Sequence, residues 1–150
     1  MGLSVTGPRQ GEVIDAAIAI ERGGKRLFDW VQATWNLLEP SAGPALTRAK
    51  ARGLHTIAKE GLANGRLSSR GQLLEWMELA RSVNTSPDAL ALAVALQQPF
   101  LDVVLSGAAT VNQLRSNLTA RDLRPGTVEL SSFVIPPDEY WSQRSRLTWT

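Results

Sequence analysis

Short runs rich in β-branched and aromatic residues alternate with helix-period segments along this chain, and that alternation constrains the fold more than any other feature. The first run, 2–6, is stopped by Gly7-Pro8, and residues 12–22 then read as a helix with Val13, Ile14, Ala17 and Ile18 on one face and Gly23-Gly24 at its end. Residues 27–35 form the second strand, 45–52 a helix ended by Gly53, and 54–59 the third strand. Residues 73–82 are helical, with Leu73, Leu74, Met77 and Ala80 as the apolar stripe. Ser86, Pro87 and Asp88 open the next helix as cap, first-turn proline and first-turn acid, and it stops before Pro99. Residues 100–105 are an apolar strand broken only by Asp102, and 110–120 a helix. Residues 121–135 form an extended connection, and Pro136-Pro137 opens a short terminal helix carrying Tyr140, Trp141 and Leu147.

Strands alternating with helices imply βαβ units around a parallel sheet. Such strands are normally buried on both faces, and 100–105 has the composition for it. At roughly 30 residues per unit, four units fit in 150 residues. A complete (β/α)8 barrel needs about 250. Spacing alone leaves a four-stranded α/β domain and half a barrel equally open, with no linker dividing the chain.

The side-chain inventory removes several chemistries. There is no cysteine and only one histidine, His55, so disulfides, thiolate catalysis and thiolate metal ligation are excluded and a His-based metal site or hydrolytic triad is disfavoured. A net charge of +2 and 43% apolar residues imply neither a nucleic-acid nor a membrane partner. The N-terminus lacks the pattern of a signal peptide, which makes a cytoplasmic location the default expectation.

Three strand-following loops carry the candidate chemistry. Gly107-Ala-Ala-Thr110-Val-Asn-Gln113 has capping-box spacing at a helix start, where free N–H groups favour phosphate, although any strand-to-helix turn can use the same residues. In Val31-Gln32-Ala-Thr-Trp35-Asn36, Gln32 suits a carboxamide and Trp35 a flat ring; the plainer reading is a satisfied polar group and a core aromatic. In the stretch from Lys59 to Leu67, Gly61 and Gly65 permit close backbone approach, and Arg66 could meet a phosphate or simply be solvated. His55 and Tyr140 read as packing or surface residues, and Asp102 as a partner of neighbouring backbone or an Arg.

Taken in order, these segments resemble the aldo-keto reductase family along nearly the whole chain. Gly2-Leu-Ser4 resembles the fifth barrel strand, the Gln32 segment the sixth, and Ile57-Ala-Lys-Glu-Gly-Leu62-Ala-Asn-Gly65-Arg-Leu67 the seventh. Val104-Leu-Ser-Gly107-Ala-Ala-Thr110-Val-Asn-Gln113-Leu-Arg-Ser-Asn117 resembles the eighth strand with its helix. The resemblance implies a partial (β/α)8 TIM barrel over 1–150, four parallel strands with helices, and an NAD(P)H-dependent oxidoreductase of carbonyl substrates. Its cofactor would be NADP, with NAD as the alternative.

By the same resemblance Ser4 and Gln32 hold the nicotinamide carboxamide, and Trp35 stands where an aromatic stacks on the ring. Leu62 and Gly65 line the pyrophosphate; Gly107, Ala108 and Thr110 lie near the 2′-phosphate; Gln113 and Asn117 contact the adenine end. Val5 replaces the usual Asn beside the Ser, and Ala109 stands where Arg, Lys or Ser often meets the 2′-phosphate. The family's catalytic Tyr, Lys, Asp and His belong to its first four strands and match nothing here, so no catalytic residue is assigned and Lys59 and His55 are not recruited. A small carbonyl substrate would need the missing half. Without its other half, the sheet is expected to self-associate through exposed strand edges or to be poorly stable.

Overall fold

A computed structural model describes residues 1–125 and 131–147. The main sheet holds four parallel strands in the order β1 (Gly2–Ser4), β4 (Trp30–Thr34), β5 (His55–Lys59) and β6 (Val103–Val104). Between them run α1 (Gln10–Ile18), α2 (Gly43–Ala51), α3 (Leu74–Ser82) and α4 (Pro87–Leu96); α5 (Val111–Leu118) and α6 (Pro137–Ser145) follow β6. The fold is therefore α/β, built from βα units as the alternation implies.

Register shows how the sheet is covered. Leu3 pairs with Val31 and Val31 with Thr56, while Ser4 pairs with Gln32, Gln32 with Ile57 and Ile57 with Val103. Side chains alternate along each strand, so these two rows lie on opposite faces. The first row belongs to the helix side: Val31, Ala33, Thr56 and Ala58 are all buried. The second carries exposed Ser4 and Val103 and half-buried Gln32 and Ile57, with exposed Trp30 and His55 in the adjoining row. The expectation of strands buried on both faces is thus corrected: among the described residues, helices cover one face.

Three local expectations also change. Helix α1 ends at Ile18, and 19–22 leave it to form the hairpin β2 (Glu21–Arg22) with β3 (Lys25–Arg26). Gly23 and Gly24, at φ +60° and +70°, supply the paired left-handed residues that a tight two-residue hairpin requires. In α3 the inward residues are Trp76 and Ala80, whereas Leu74 points to solvent; the Trp76 indole N–H donates to the Leu67 carbonyl at 3.1 Å. The apolar run 100–105 yields only the two-residue strand β6, and Val103 within it and Leu105 just after it are exposed. Part of the 121–135 connection, 126–130, lies outside the described residues, as do 148–150.

Helix α4 behaves as its sequence foretells. The Ser86 hydroxyl accepts from the Ala89 N–H at 3.2 Å, and the seven residues 89–95 are all buried, as expected of a helix apolar on every side.

Beyond β1, a side chain replaces the strand. Gln10 Oε1 accepts from the Thr34 N–H at 3.1 Å, and Gln10 Nε2 donates to the Thr34 carbonyl at 2.9 Å. One buried amide thus supplies both bonds a further strand residue would have made. Gln10→Leu leaves two buried backbone groups unpaired, at about 1–3 kcal/mol each. Urea unfolding should show a loss of roughly 2–5 kcal/mol with an unchanged m-value; a loss under 1 kcal/mol would contradict this role.

Candidate functional site

The C-terminal ends of β4 and β5 are tied together by buried polar groups. Asn36 Nδ2 donates to the Glu60 carbonyl at 3.0 Å and to the Tyr140 hydroxyl at 2.9 Å, and its Oδ1 accepts from the N–H groups of Leu38 and Glu39. Tyr140 is fully buried, and burial pushes its phenol above the ordinary range, opposed by the Asn36 bond. The Glu39 carboxylate, also fully buried, accepts from Gln10, the Ser41 N–H and hydroxyl, and the Trp141 indole. Helix α6 is thereby locked across the strand ends.

This clamp holds a strained loop. Glu60, Ala63 and Asn64 have φ of 56°, 49° and 57°, and Gly65 has +89°. Left-handed backbone at three non-glycine residues so close together is costly, and such strain concentrates at functional sites. Arg144 grips the Glu60 carboxylate through Nε and Nη2, and that bond holds the Arg144 guanidinium above its ordinary pKa. A Cβ on Gly61 would lie 3.2 Å from the Leu92 side-chain tip, so the loop passes close against α4 there.

Across from this loop, Gly107 turns at φ +63° into α5. The capping box forms: Gln113 N–H donates to Thr110 Oγ1 at 3.2 Å, while Gln113 Oε1 accepts from the N–H groups of Thr110 and Ala109 at 3.1 and 2.8 Å. Asn117 Nδ2 donates to the Ser106 carbonyl at 3.0 Å. Each amide keeps a second end that these bonds do not use.

Between the two loops lies a groove of about 760 Å3, well inside the ~300–1,000 Å3 typical of small-molecule sites. Leu62, Gly65, Gly107, Ala108, Gln113 and Asn117 line it, and Thr110 caps the helix at its rim. Arg70 and Arg144 contribute positive charge, Glu60 and Asp88 negative; Asp88 accepts from the Ser69 N–H at 2.7 Å.

The remaining sequence-derived residues lie elsewhere. Ser4 and Gln32 are register partners on the open sheet face, and Lys59 Nζ donates to Ser4 Oγ at 3.3 Å. Trp35 is 5% exposed, edge-on to Phe100, with Gly43 making room for both rings. Its indole is a core element, so the plainer of its two readings fits the geometry better than a ring platform. Arg66 lies over the Tyr140 ring at 4.3 Å and donates to Gln143, outside the groove. Sequence reasoning missed Gln10, Glu39, Asp88, Arg70 and Arg144. The usable signal was Tyr140, the chain's one tyrosine, whose phenol needs a polar partner when buried.

His55 is a surface residue stacked on Trp30 at 4.4 Å. Asp102 bonds the Thr56 N–H, as expected, but its cation is Lys50 at 2.7 Å and not an Arg.

Neither a protein-family model nor any curated protein matches this sequence. Solved structures do. The apo form of aldo-keto reductase AKR11C1 from Bacillus halodurans superposes with a TM-score of 0.63 at 18% identity, over 87% of this chain and 47% of that one. The holo form gives 0.63 at 17%, over 95% and 49%. The thermostable aldo-keto reductase Tm1743, in complex with the inhibitor epalrestat, gives 0.63 at 21%, over 88% and 46%. This chain therefore has the fold of part of an aldo-keto reductase barrel and spans about half the length of these proteins.

Two predictions follow from the geometry. Gln113→Ala, which deprives two N–H groups of their acceptor, should cost about 1 kcal/mol in urea unfolding, the usual value of a cap; no change would show that solvent replaces the bond freely. The second concerns acid. Lys50, then the Thr56 N–H, hold the Asp102 carboxyl below its usual value. Its contribution to stability is therefore complete above pH ~4 and lost as pH falls through the lower folded value. Asp102→Asn should lower the melting temperature at pH 7 and flatten its decline below pH ~4; parallel wild-type and variant curves would refute this.

Proposed function

We propose that this chain is the cofactor-gripping portion of an aldo-keto reductase-type oxidoreductase, with a nicotinamide dinucleotide lying along the groove between the 60–66 and 106–113 loops. The observation that carries the reading is convergence. Six residues singled out in two loops far apart in sequence line one groove of suitable volume at the carboxyl ends of parallel strands, where ligands bind in such folds.

The residues present fit the group. Leu62 and Gly65 would lie along the pyrophosphate, with Arg144 and Arg70 supplying positive charge close by. The free amide ends of Gln113 and Asn117 would face the adenine, and Ser4 and Gln32 the nicotinamide carboxamide. When bound, the dinucleotide supplies a hydride for a carbonyl carbon. This chain's residues bind and orient it. Ala109 provides no cation for a 2′-phosphate, and the N–H groups of Ala109 and Thr110 already serve Gln113, which moves the balance from NADP toward NAD. Protonating a reduced carbonyl requires an acid, and we assign that role to no residue here. Tyr140 is buried on Asn36, and Lys59 and His55 are left outside the catalytic assignment. Reduction of a small carbonyl compound would need a second set of βα units.

Tryptophan fluorescence and calorimetry with NADH and NADPH provide the test. Saturable binding of either, without turnover of an aldehyde, is expected, and Arg144→Ala should weaken binding about tenfold, the effect of losing roughly 1.4 kcal/mol. Ala109→Arg should favour NADPH selectively. Well-folded protein giving no heat with either nucleotide at millimolar concentration would eliminate the proposal.

A further inference from the structure

We propose that a second cavity, which shares the wall of Asn64, Gly65, Arg70 and Leu147 with the groove, binds a small organic carboxylate with an apolar body, its charge met by Arg66 and Arg70. The proposal does not rest on the dinucleotide reading. None of Ser4, Gln32, Trp35, Gly107, Gln113 and Asn117 lines this cavity.

The cavity measures about 860 Å3, the size of a small-molecule site. It lies between the start of α3 and the 132–135 segment, which is fixed to the turn after β4 by the Ile135 N–H donating to the Leu38 carbonyl at 2.9 Å. Leu38, Leu73, Phe133, Ile135 and Leu147 give it an apolar wall. Phe133 is braced edge-on against the buried Trp76 ring at 5.5 Å.

The polar side of the cavity holds two guanidinium groups with unused donors. Arg66 lays its face over Tyr140, its Nε donates to the Ala63 carbonyl and its Nη1 to Gln143, but Nη2 is buried and has no hydrogen-bond partner. Buried donors are nearly always paired, and an unpaired one carries a penalty that an incoming acceptor removes. Among the described residues the Arg70 guanidinium has no ion-pair or hydrogen-bond partner; only its backbone N–H is bonded, to Ser68 Oγ at 3.2 Å. Glu75 is the one carboxylate in the lining, so two cations against one anion leave a single positive charge over. That complements a monoanion; a dianionic phosphate would stay half-compensated, and a cation would be repelled. A planar carboxylate also suits a guanidinium fork, and the apolar wall suits a hydrocarbon body.

The loop that presents both arginines is closely bonded. The Ser68 hydroxyl donates to the Gly65 carbonyl at 2.7 Å, the Gly71 N–H to the Ser68 carbonyl at 2.9 Å, and the Ser69 N–H to Asp88 at 2.7 Å. A Cβ on Gly71 would lie 2.0 Å from the Arg66 carbonyl oxygen, so only glycine closes this turn. Backbone fixed in this way lowers the ordering cost of binding.

Octanoate is the probe, with octanamide, which keeps the alkyl chain and lacks the charge, as its control. In 1H–15N NMR titrations of the whole chain, octanoate at millimolar concentration should shift the Trp76 indole and Arg66 Nε–H resonances saturably. Octanamide should bind roughly tenfold more weakly, and octanoate should bind Arg70→Ala and Val134→Glu more weakly by a similar factor. Val134→Glu adds a carboxylate to the lining, and both positions are exposed, so neither variant threatens the fold. Arg66→Lys, which keeps the charge and loses the fork, should also weaken binding. Octanamide binding as tightly as octanoate, or affinity indifferent to Arg70→Ala and Val134→Glu, would overturn the proposal. So would the absence of a saturable shift, or shifts confined to Gly107, Ala108 and Gln113 in the groove.

Discussion

One constraint shapes this molecule: its parallel sheet is covered by helices on a single face. The covered side is built for close approach. Ala33 and Ala58 are fully buried and present almost no side chain, and α2 packs on β5 and α4 on β6. The other side carries the alternate residues of the same strands, and among the described residues no helix packs over Trp30, His55, Ser4 and Val103, which are exposed. A parallel strand wants two neutral, covered faces. Here half of that requirement is met by the chain itself, and the unmet half fixes both the exposed Trp30–His55 stack and the free edges.

With the sheet open on one side, its strand ends need another source of rigidity. They find it in buried polar contacts that run from Gln10 through Thr34 and Glu39 to Trp141, and from Asn36 to Tyr140. A buried carboxylate is expensive unless fully satisfied, and Glu39 meets that condition with four neutral donors. The groups left behind by any single loss would be desolvated and unpaired. That makes the network a better guarantor of loop position than an exposed ion pair such as Arg48–Asp15, whose partners water can replace. The strained 60–65 backbone persists because this network and the Arg144–Glu60 grip hold its Glu60 end, while the Ser68 hydroxyl donates to the Gly65 carbonyl at the other.

What could be read from the sequence was whatever depended on local chemistry. Ser86 before Pro87 specifies a cap wherever the helix ends up, and Thr110 with Gln113 specifies a capping box by spacing alone. The groove-lining residues were legible for a related reason: glycines at tight turns after strands carry their conformational demand with them. Long-range partnerships were not legible. Gln10 looks like an ordinary first-turn polar residue, and nothing near it announces that its amide stands in for a strand. The run 100–105 looked buried because composition reports apolarity and not location; at a sheet edge the same residues face water. Trp35 and Arg66 were each open to two readings in sequence. An aromatic or a guanidinium beside a binding loop suggests a ligand, yet Phe100 and Tyr140 were available as partners and took them.

The groove's two arginines face two carboxylates, and one of each is already paired as Arg144–Glu60. A helix start opens onto it, but the Ala109 and Thr110 N–H groups that would welcome an anion are bonded to Gln113. A doubly charged pyrophosphate entering here therefore meets a wall close to neutral. It can gain strength only by drawing Arg144 away from Glu60 or by using backbone made accessible at Gly61, Gly65 and Gly107. The first route would give up one of the bonds between α6 and the loop, leaving Arg66 on Tyr140 and Gln143. Occupancy of the groove and the seating of α6 are thus linked through one guanidinium.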